Sequence, residues 1–120
     1  MCVVALISLF CLSHAYGQPS AHDKDAKLNK VKSEMIKLIK AGRDMEQYRT
    51  SMDDPEKAKL CEEKMNQYNP IEQEIIKDLE ALSLGHDMKM SIFDVINCTS
   101  CLPEALESCH EAEKILLNAK

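Results

Sequence analysis

Four cysteines in the second half of the chain constrain its fold more than any other feature: Cys61, Cys98, Cys101 and Cys109. An even number of cysteines in a short exported chain is typical of a disulfide framework, and four cysteines allow three pairings. Eight residues of a straight helix rise about 12 Å, so a Cys101–Cys109 bond would need the chain to fold back before the last helix. Cys61 lies far upstream and must reach this cluster. We favour Cys109 or Cys101 as its partner, which leaves the second pairing open.

Export is indicated by the first seventeen residues, which are organised like a signal peptide. The stretch from Cys2 to Leu12 is almost entirely apolar, but it is shorter than the roughly 20 residues that span a bilayer. Small residues at Ala15 and Gly17 predict cleavage after Gly17, with cleavage after Ala15 as the alternative. The remaining residues, 18–120, then form a single secreted domain. Because no later apolar run could cross a membrane, we expect an extracellular protein without a transmembrane segment.

Apolar residues in the predicted domain recur at the three-four spacing of amphipathic helices. The spacing predicts a first helix from Asp23 to about Arg49, with Gly42 inside it as a point where another helix could approach closely. Further helices follow Gly85 and Pro103. No segment alternates in the manner of a strand. The predicted class is all-α: a small disulfide-stapled bundle or hairpin array of four to five amphipathic helices.

The middle of the chain carries two helix-start signals. Asp54 and Pro55 suit the cap and first position of a helix. Asn69 and Pro70 repeat the pattern, with a glutamate three residues after the asparagine. Pro70 therefore either separates two helices or kinks a single long one.

The C-terminal cysteines permit two chemical interpretations besides structural disulfides. Cys98-x-x-Cys101 could be an exchanging thiol pair, although the βαβ context of such pairs is absent. Cys98, Cys101, Cys109 and His110 could hold zinc, but adjacent residues on a helix point in different directions. We therefore predict two structural disulfides and no metal or cofactor.

Asn97-Cys98-Thr99 has the form of a glycosylation sequon. Its middle residue is a predicted disulfide cysteine, which would crowd the site. The sequon makes Asn97 a candidate glycosylation site, and the neighbouring cysteine disfavours its occupancy.

No pattern in the chain indicates catalysis. His86 and Asp87 are adjacent beside Gly85, where an exposed turn and helix cap explain them. There is no glycine-rich phosphate loop, and no histidine lies in a recognised nucleophile motif. We expect that the protein is not an enzyme.

Charge is divided unevenly along the chain. Residues 23–43 contain seven basic and three acidic residues, whereas residues 44–120 contain eight basic and seventeen acidic residues. The basic first helix could pack against the acidic helices, or it could contact an anionic membrane or partner. Nucleic acid is not an expected partner, because the domain is acidic overall and has few aromatic residues.

The apolar positions are rich in methionine and poor in aromatic residues. Methionine adapts to irregular spaces, which suits an ordinary soft core or a cavity for a small hydrophobic ligand such as a lipid. The residues that would line such a cavity are Met35, Leu38, Met45, Met65, Leu79 and Ile92.

Three functional hypotheses follow. The first is a secreted, non-enzymatic binding or effector protein that engages an extracellular protein partner through its helix faces. The second is a carrier of small apolar, lipid-like ligands. The third is a thiol–disulfide or zinc-binding protein that uses the cysteines between residues 98 and 109.

Overall fold

Five helices and their connections make up residues 21–118, the part of the chain that the computed structural model describes. Their bounds are α1 Ala21–Asp44, α2 Glu46–Arg49, α3 Pro55–Glu80, α4 His86–Cys98 and α5 Ala105–Asn118. Residues 21–118 contain no strand, and the predicted all-α, disulfide-stapled class is confirmed. The predicted signal peptide, residues 1–17, lies outside the described residues.

α1 and α2 together occupy the segment that the sequence predicts as one helix. Met45 separates them, but it keeps helical torsions of −71° and −12°, and its N–H still donates to the Ala41 carbonyl at 3.1 Å. The apolar stripe of α1 is buried as its spacing predicts, with Val31 and Met35 fully inside. Complete burial of such side chains stabilises a fold by roughly 1.5–3 kcal/mol each.

α3 begins at Pro55 as the sequence predicts, and it continues past Asn69 and Pro70, where the sequence carries a second helix-start signal. The Asp54 carboxylate accepts a hydrogen bond from the Glu56 N–H at 2.9 Å, and Pro55 occupies the first helical position. The helix then runs through Pro70 without ending, so Asn69 is not a cap. A single long helix places its buried residues, Ile75 and Leu79 among them, on one side of the bundle.

α4 and α5 form an antiparallel hairpin with the most extensive contact in the fold. Gly85, after which the sequence predicts a helix, is the N-cap of α4, and α3 has already ended at Glu80. Asp87, expected as the cap, lies in the first turn of α4. A short turn after Cys98 reverses the chain so that α5 lies along α4.

The helices surround a single apolar core. α1 and α4 form its centre, since each contacts the other as well as both α3 and α5. α3 and α5 flank this central pair on opposite sides. The core contains residues from all four long helices, including Met35, Ile75, Val95 and Leu116. Four neighbouring helix pairs therefore form the outer edges of the bundle, and the α1–α5 edge lies opposite the α3–α4 edge.

No helix within residues 21–118 is both long enough and apolar enough to span a membrane.

Candidate binding surface

Two disulfides join the helices at one end of the bundle. Cys61 in α3 bonds to Cys101, with Cα atoms 6.0 Å apart, so Cys101 is the partner among the two that the sequence favoured. Cys98 in α4 bonds to Cys109 in α5, with Cα atoms 4.6 Å apart. Cys101 is half-buried, whereas the other three cysteines are fully buried. Two disulfides and the absence of a membrane-spanning helix among the described residues are compatible with an extracellular protein.

Gly42 permits the close helix approach that the sequence suggested. A Cβ atom at this position would lie 2.5 Å from the Cys98 carbonyl oxygen and 2.9 Å from its carbonyl carbon. Both atoms belong to the backbone and cannot rotate away. α1 therefore contacts the last turn of α4 directly only because residue 42 has no side chain.

Arg49 closes the C-terminal end of α4. Its guanidinium is buried, and it donates to the Ser100 carbonyl at 2.7 Å, to the Cys98 carbonyl and to the Glu46 carboxylate at 2.8 Å. The last carbonyls of a helix have no intrahelical partner and carry partial negative charge. A cation there satisfies both the hydrogen bonds and the charge, while Glu46 neutralises the buried guanidinium. We infer a structural role for Arg49.

Glu72 is a second buried ionisable residue at this end. It lies on α3, and its carboxylate accepts a hydrogen bond from the Thr99 hydroxyl next to Cys98. Burial raises the pKa of Glu72, and the Thr99 hydrogen bond offsets part of that rise. Burial also raises the pKa of Asp94 on α4, where the facing Glu111 carboxylate on α5 adds to the effect.

The residues proposed to line an apolar cavity do not meet around one space. Five are buried: Met35, Leu38, Leu79 and Ile92 belong to the packed core, and Met45 lies between α1 and α2. Met65 is half-buried and lines a separate surface pocket of about 240 Å³.

The α1–α5 edge of the bundle carries an apolar groove of about 270 Å³. We call it the α1–α5 groove, and its lining residues are Ile36, Ile39, Lys40, Arg43, Glu113, Leu116 and Leu117. Ile39 and Leu116 are buried at its base, whereas Ile36 is 50 % exposed and Leu117 71 % exposed. Large aliphatic side chains left in water next to one another indicate a surface suited to a partner.

The charges beside the α1–α5 groove are unevenly paired. Arg43 forms an ion pair with Glu113 and a 3.1 Å hydrogen bond with His110 Nδ1. Lys37 and Lys40 are exposed, and neither forms an ion pair with any residue between 23 and 118. Farther along α1, Lys27 pairs with Asp78 of α3 at 3.8 Å. The basic helix thus packs against acidic helices in part. Two cations are left without an ion pair: Lys40, which lines the groove, and Lys37, which lies one turn before it on the exposed surface of α1.

The opposite edge carries a smaller apolar groove of about 170 Å³, which we call the α3–α4 groove. Its lining residues are Ile76, Leu79, Glu80, Lys89, Met90, Ile92 and Phe93. Phe93 is 53 % exposed and Met90 44 % exposed. One acidic and one basic side chain border it, so this groove has no dominant charge.

The remaining sequence candidates lie apart from both grooves. Asn97 is exposed in the last turn of α4, but the other two sequon residues, Cys98 and Thr99, are buried in a disulfide and against Glu72. His86 is exposed in the first turn of α4. Within the described residues, no three histidine, cysteine or acidic side chains are grouped closely enough to hold a metal ion.

Comparisons with protein families, with curated proteins and with solved structures give no significant match. The class that the fold defines is therefore a structural one, an all-α bundle stapled by two disulfides.

The sequence pattern did not indicate the role of Arg49 or the α1–α5 groove, and it assigned Glu72 to a helix start rather than to a buried position. Arg49 lies at the polar end of a helical pattern, where a basic residue would ordinarily be assigned to solvent. The available signals for the groove were Ile36, which widens the apolar stripe of α1, and the neighbouring lysines. The partner face on α5 carries only the weak signal of two consecutive leucines, Leu116 and Leu117.

Proposed function

We propose that this protein is a secreted, non-enzymatic binding protein that engages an extracellular protein partner through an exposed helix face. The observation that carries the proposal is the pair of apolar grooves on opposite edges of the bundle. A domain that already buries a packed core has little reason to leave Leu117, Ile36 and Phe93 in solvent unless another surface covers them.

Secretion is supported by the sequence of residues 1–17 and by the two disulfides. Cys61–Cys101 and Cys98–Cys109 both suit an oxidising export route. These bonds occupy all four cysteine sulfurs of the described residues, which leaves no free thiolate there for exchange or for zinc.

A protein partner is favoured over a carried apolar ligand by where the apolar side chains lie. The methionines and leucines proposed as a cavity lining are mostly packed against one another, whereas the exposed apolar residues line open surface grooves. Surface grooves between helices suit the apolar stripe of a partner helix.

The test begins with expression of the full chain in a eukaryotic secretory host. Recovery from the medium with Gln18 as the first residue and two disulfides by intact mass would support secretion. Retention of residues 1–17 in the recovered protein, or free thiols, would contradict it.

The recovered protein would then be cross-linked in extracellular fluid of its source organism, beside two groove variants, I36D/L117D and M90D/F93D. Met52→Asp is the matched control, because Met52 is exposed outside both grooves. A protein captured at defined stoichiometry by wild type and control, and lost in one groove variant, supports the proposal. Capture that neither groove variant alters would contradict it, and a stoichiometric lipid in native mass spectra would favour the carrier.

A further inference from the structure

The α1–α5 groove differs from the α3–α4 groove in size and in charge, and both bear on its partner. It is larger, at about 270 Å³ against about 170 Å³, and the side chains beside it are mainly cationic. Arg43 is already neutralised by Glu113, but Lys37 and Lys40 have no ion-pair partner between residues 23 and 118. A surface that is apolar at its base and cationic at its rim complements a partner that is apolar along one stripe and anionic beside it.

We propose that the α1–α5 groove binds an acidic amphipathic helix of the partner protein. The assignment rests on the proposed binding function and adds to it the groove used and the chemistry of the partner. The leucine-type side chains of that helix would lie between Ile36 and Leu117, on the buried Ile39 and Leu116. Its carboxylates would pair with Lys37 and Lys40.

The dimensions of the groove fit a helix. Along α1 the groove runs from Ile36 to Arg43, which at 1.5 Å per residue is about 10 Å. Side chains at positions i, i+3, i+4 and i+7 of a helix cover about the same length along one face. Two helices packed side by side present a trough, and a third helix completes such a trough in the way that helices pack within bundles.

An anionic membrane fits the same surface less well. The whole chain has a net charge of −5, because residues 23–43 carry +4 and residues 44–120 carry −9. The domain outside the basic helix therefore opposes approach to an anionic bilayer. Glu113 also lies in the groove itself, where a lipid phosphate would meet a carboxylate. A helical partner can place its few carboxylates opposite the lysines and away from Glu113.

The test uses the full chain recovered from a secretory host and three synthetic probes. The first is a helical peptide with leucines at i, i+3, i+4 and i+7 and glutamates on both flanks. The second has the same leucines with lysine flanks. The third is a vesicle of equal parts phosphatidylserine and phosphatidylcholine. Binding is measured by fluorescence anisotropy and mapped by amide chemical shifts.

The acidic peptide should bind, shift the amides around Ile36, Lys40 and Leu117, and bind more weakly as salt rises. K37E/K40E should lower its affinity at least about tenfold, because two attractions at the groove become repulsions. The control K59E/K77E makes the same change in net charge on exposed positions of α3 and should change affinity by less than about twofold.

Three results would overturn the assignment. One is equal binding of the lysine-flanked peptide, and another is shifts confined to the α3–α4 groove. The third is vesicle binding that K37E/K40E abolishes while the acidic peptide fails to bind, which would make the membrane the occupant.

The proposed binding function fails on a different result from the groove assignment. If wild type and K37E/K40E capture the same protein equally from extracellular fluid, the binding function stands and the groove assignment fails. If the acidic peptide binds in the groove but no protein is captured, the groove assignment stands and the proposed binding function fails.

Discussion

The two ends of the bundle are held by different means. At the disulfide end, which we define by Cys61, Cys98, Cys101 and Cys109, two covalent bonds, the buried Arg49 guanidinium and the Glu72–Thr99 hydrogen bond all act on the turn between α4 and α5. At the open end, Gly85, His86 and Asp87 are exposed beside the last turn of α5, and they line a wide surface pocket of about 670 Å³.

The difference shows how a small domain distributes its stability. At the disulfide end, Arg49 of α2 donates to carbonyls that are unpaired at the C-terminus of α4, and Glu72 of α3 accepts from the Thr99 hydroxyl beside them. Helix ends without such links open locally at low free-energy cost. The open end is therefore expected to fray first, while the disulfide end persists until global unfolding.

The largest expected effect concerns the two disulfides themselves. C61A/C101A should lower the free energy of unfolding by about 4 kcal/mol, because that bond closes a loop with a sequence separation of 40. C98A/C109A, with a separation of 11, should cost about 3 kcal/mol on the same chain-entropy grounds. Urea unfolding of both variants measures the difference. A reversed order would show that packing of the buried Cys98–Cys109 bond outweighs loop closure, and losses below about 1 kcal/mol for both would remove the contrast between the ends.

The next effect concerns Arg49. Arg49→Ala would leave the Cys98 and Ser100 carbonyls without their donor, and we expect a loss of about 3 kcal/mol, since each unpaired buried acceptor costs roughly 1–3 kcal/mol. Arg43→Ala removes an arginine of the same helical region whose ion pair is partly exposed, and it should cost at most about 1 kcal/mol. Equal losses of stability in thermal or urea unfolding would mean that the hydrogen bonds from Arg49 to the end of α4 contribute no more than the partly exposed ion pair of Arg43.

Two glycines provide a steric comparison of the ends. Gly42→Ala should destabilise by about 1–3 kcal/mol, because its Cβ would meet the Cys98 backbone at the disulfide end. Gly85→Ala at the open end should change stability by less than about 1 kcal/mol, since a Cβ there meets nothing within 4 Å and the backbone φ of −63° suits any residue. Circular dichroism melts of both variants make the comparison, and a neutral Gly42→Ala would contradict the close approach of α1 to α4.

The smallest effect concerns pH. Burial raises the pKa of Glu72 in the folded state, so the folded protein holds this proton at a pH where the unfolded chain has lost it. The contribution of Glu72 to stability is therefore greatest at acidic pH and falls as pH rises through the raised pKa. Glu72→Gln keeps an acceptor for the Thr99 hydroxyl and should be more stable than wild type at neutral pH, with a flatter pH profile.

Chemical denaturation across pH tests this prediction. Glu74→Gln, an exposed change on the same helix, should leave the wild-type profile unaltered. A Glu72→Gln variant that loses stability at neutral pH would show that the buried carboxylate makes a net favourable interaction.

Much of the local structure was predictable, because it depends on residues near one another in sequence. The three-four spacing located the long helices, and the Asp54–Pro55 signal gave the start of α3. The Asn69–Pro70 signal left open whether Pro70 separates two helices or lies within one, and packing of residues on both sides of Pro70 keeps α3 continuous. The grooves were not predictable, because each is formed by residues far apart in sequence, such as Ile36 and Leu117.

The sequence by itself determined the all-α class, the helical segments and the need for Cys61 to reach the C-terminal cysteines, since periodicity, capping and cysteine spacing are local or covalent constraints. Only the tertiary structure decided that Cys61 bonds to Cys101, that Arg49 closes α4, and which apolar side chains remain in solvent. The physical reason is that these outcomes depend on how the helices pack side by side. A residue such as Leu117 is buried or exposed according to its neighbours in space, and those neighbours lie on other helices.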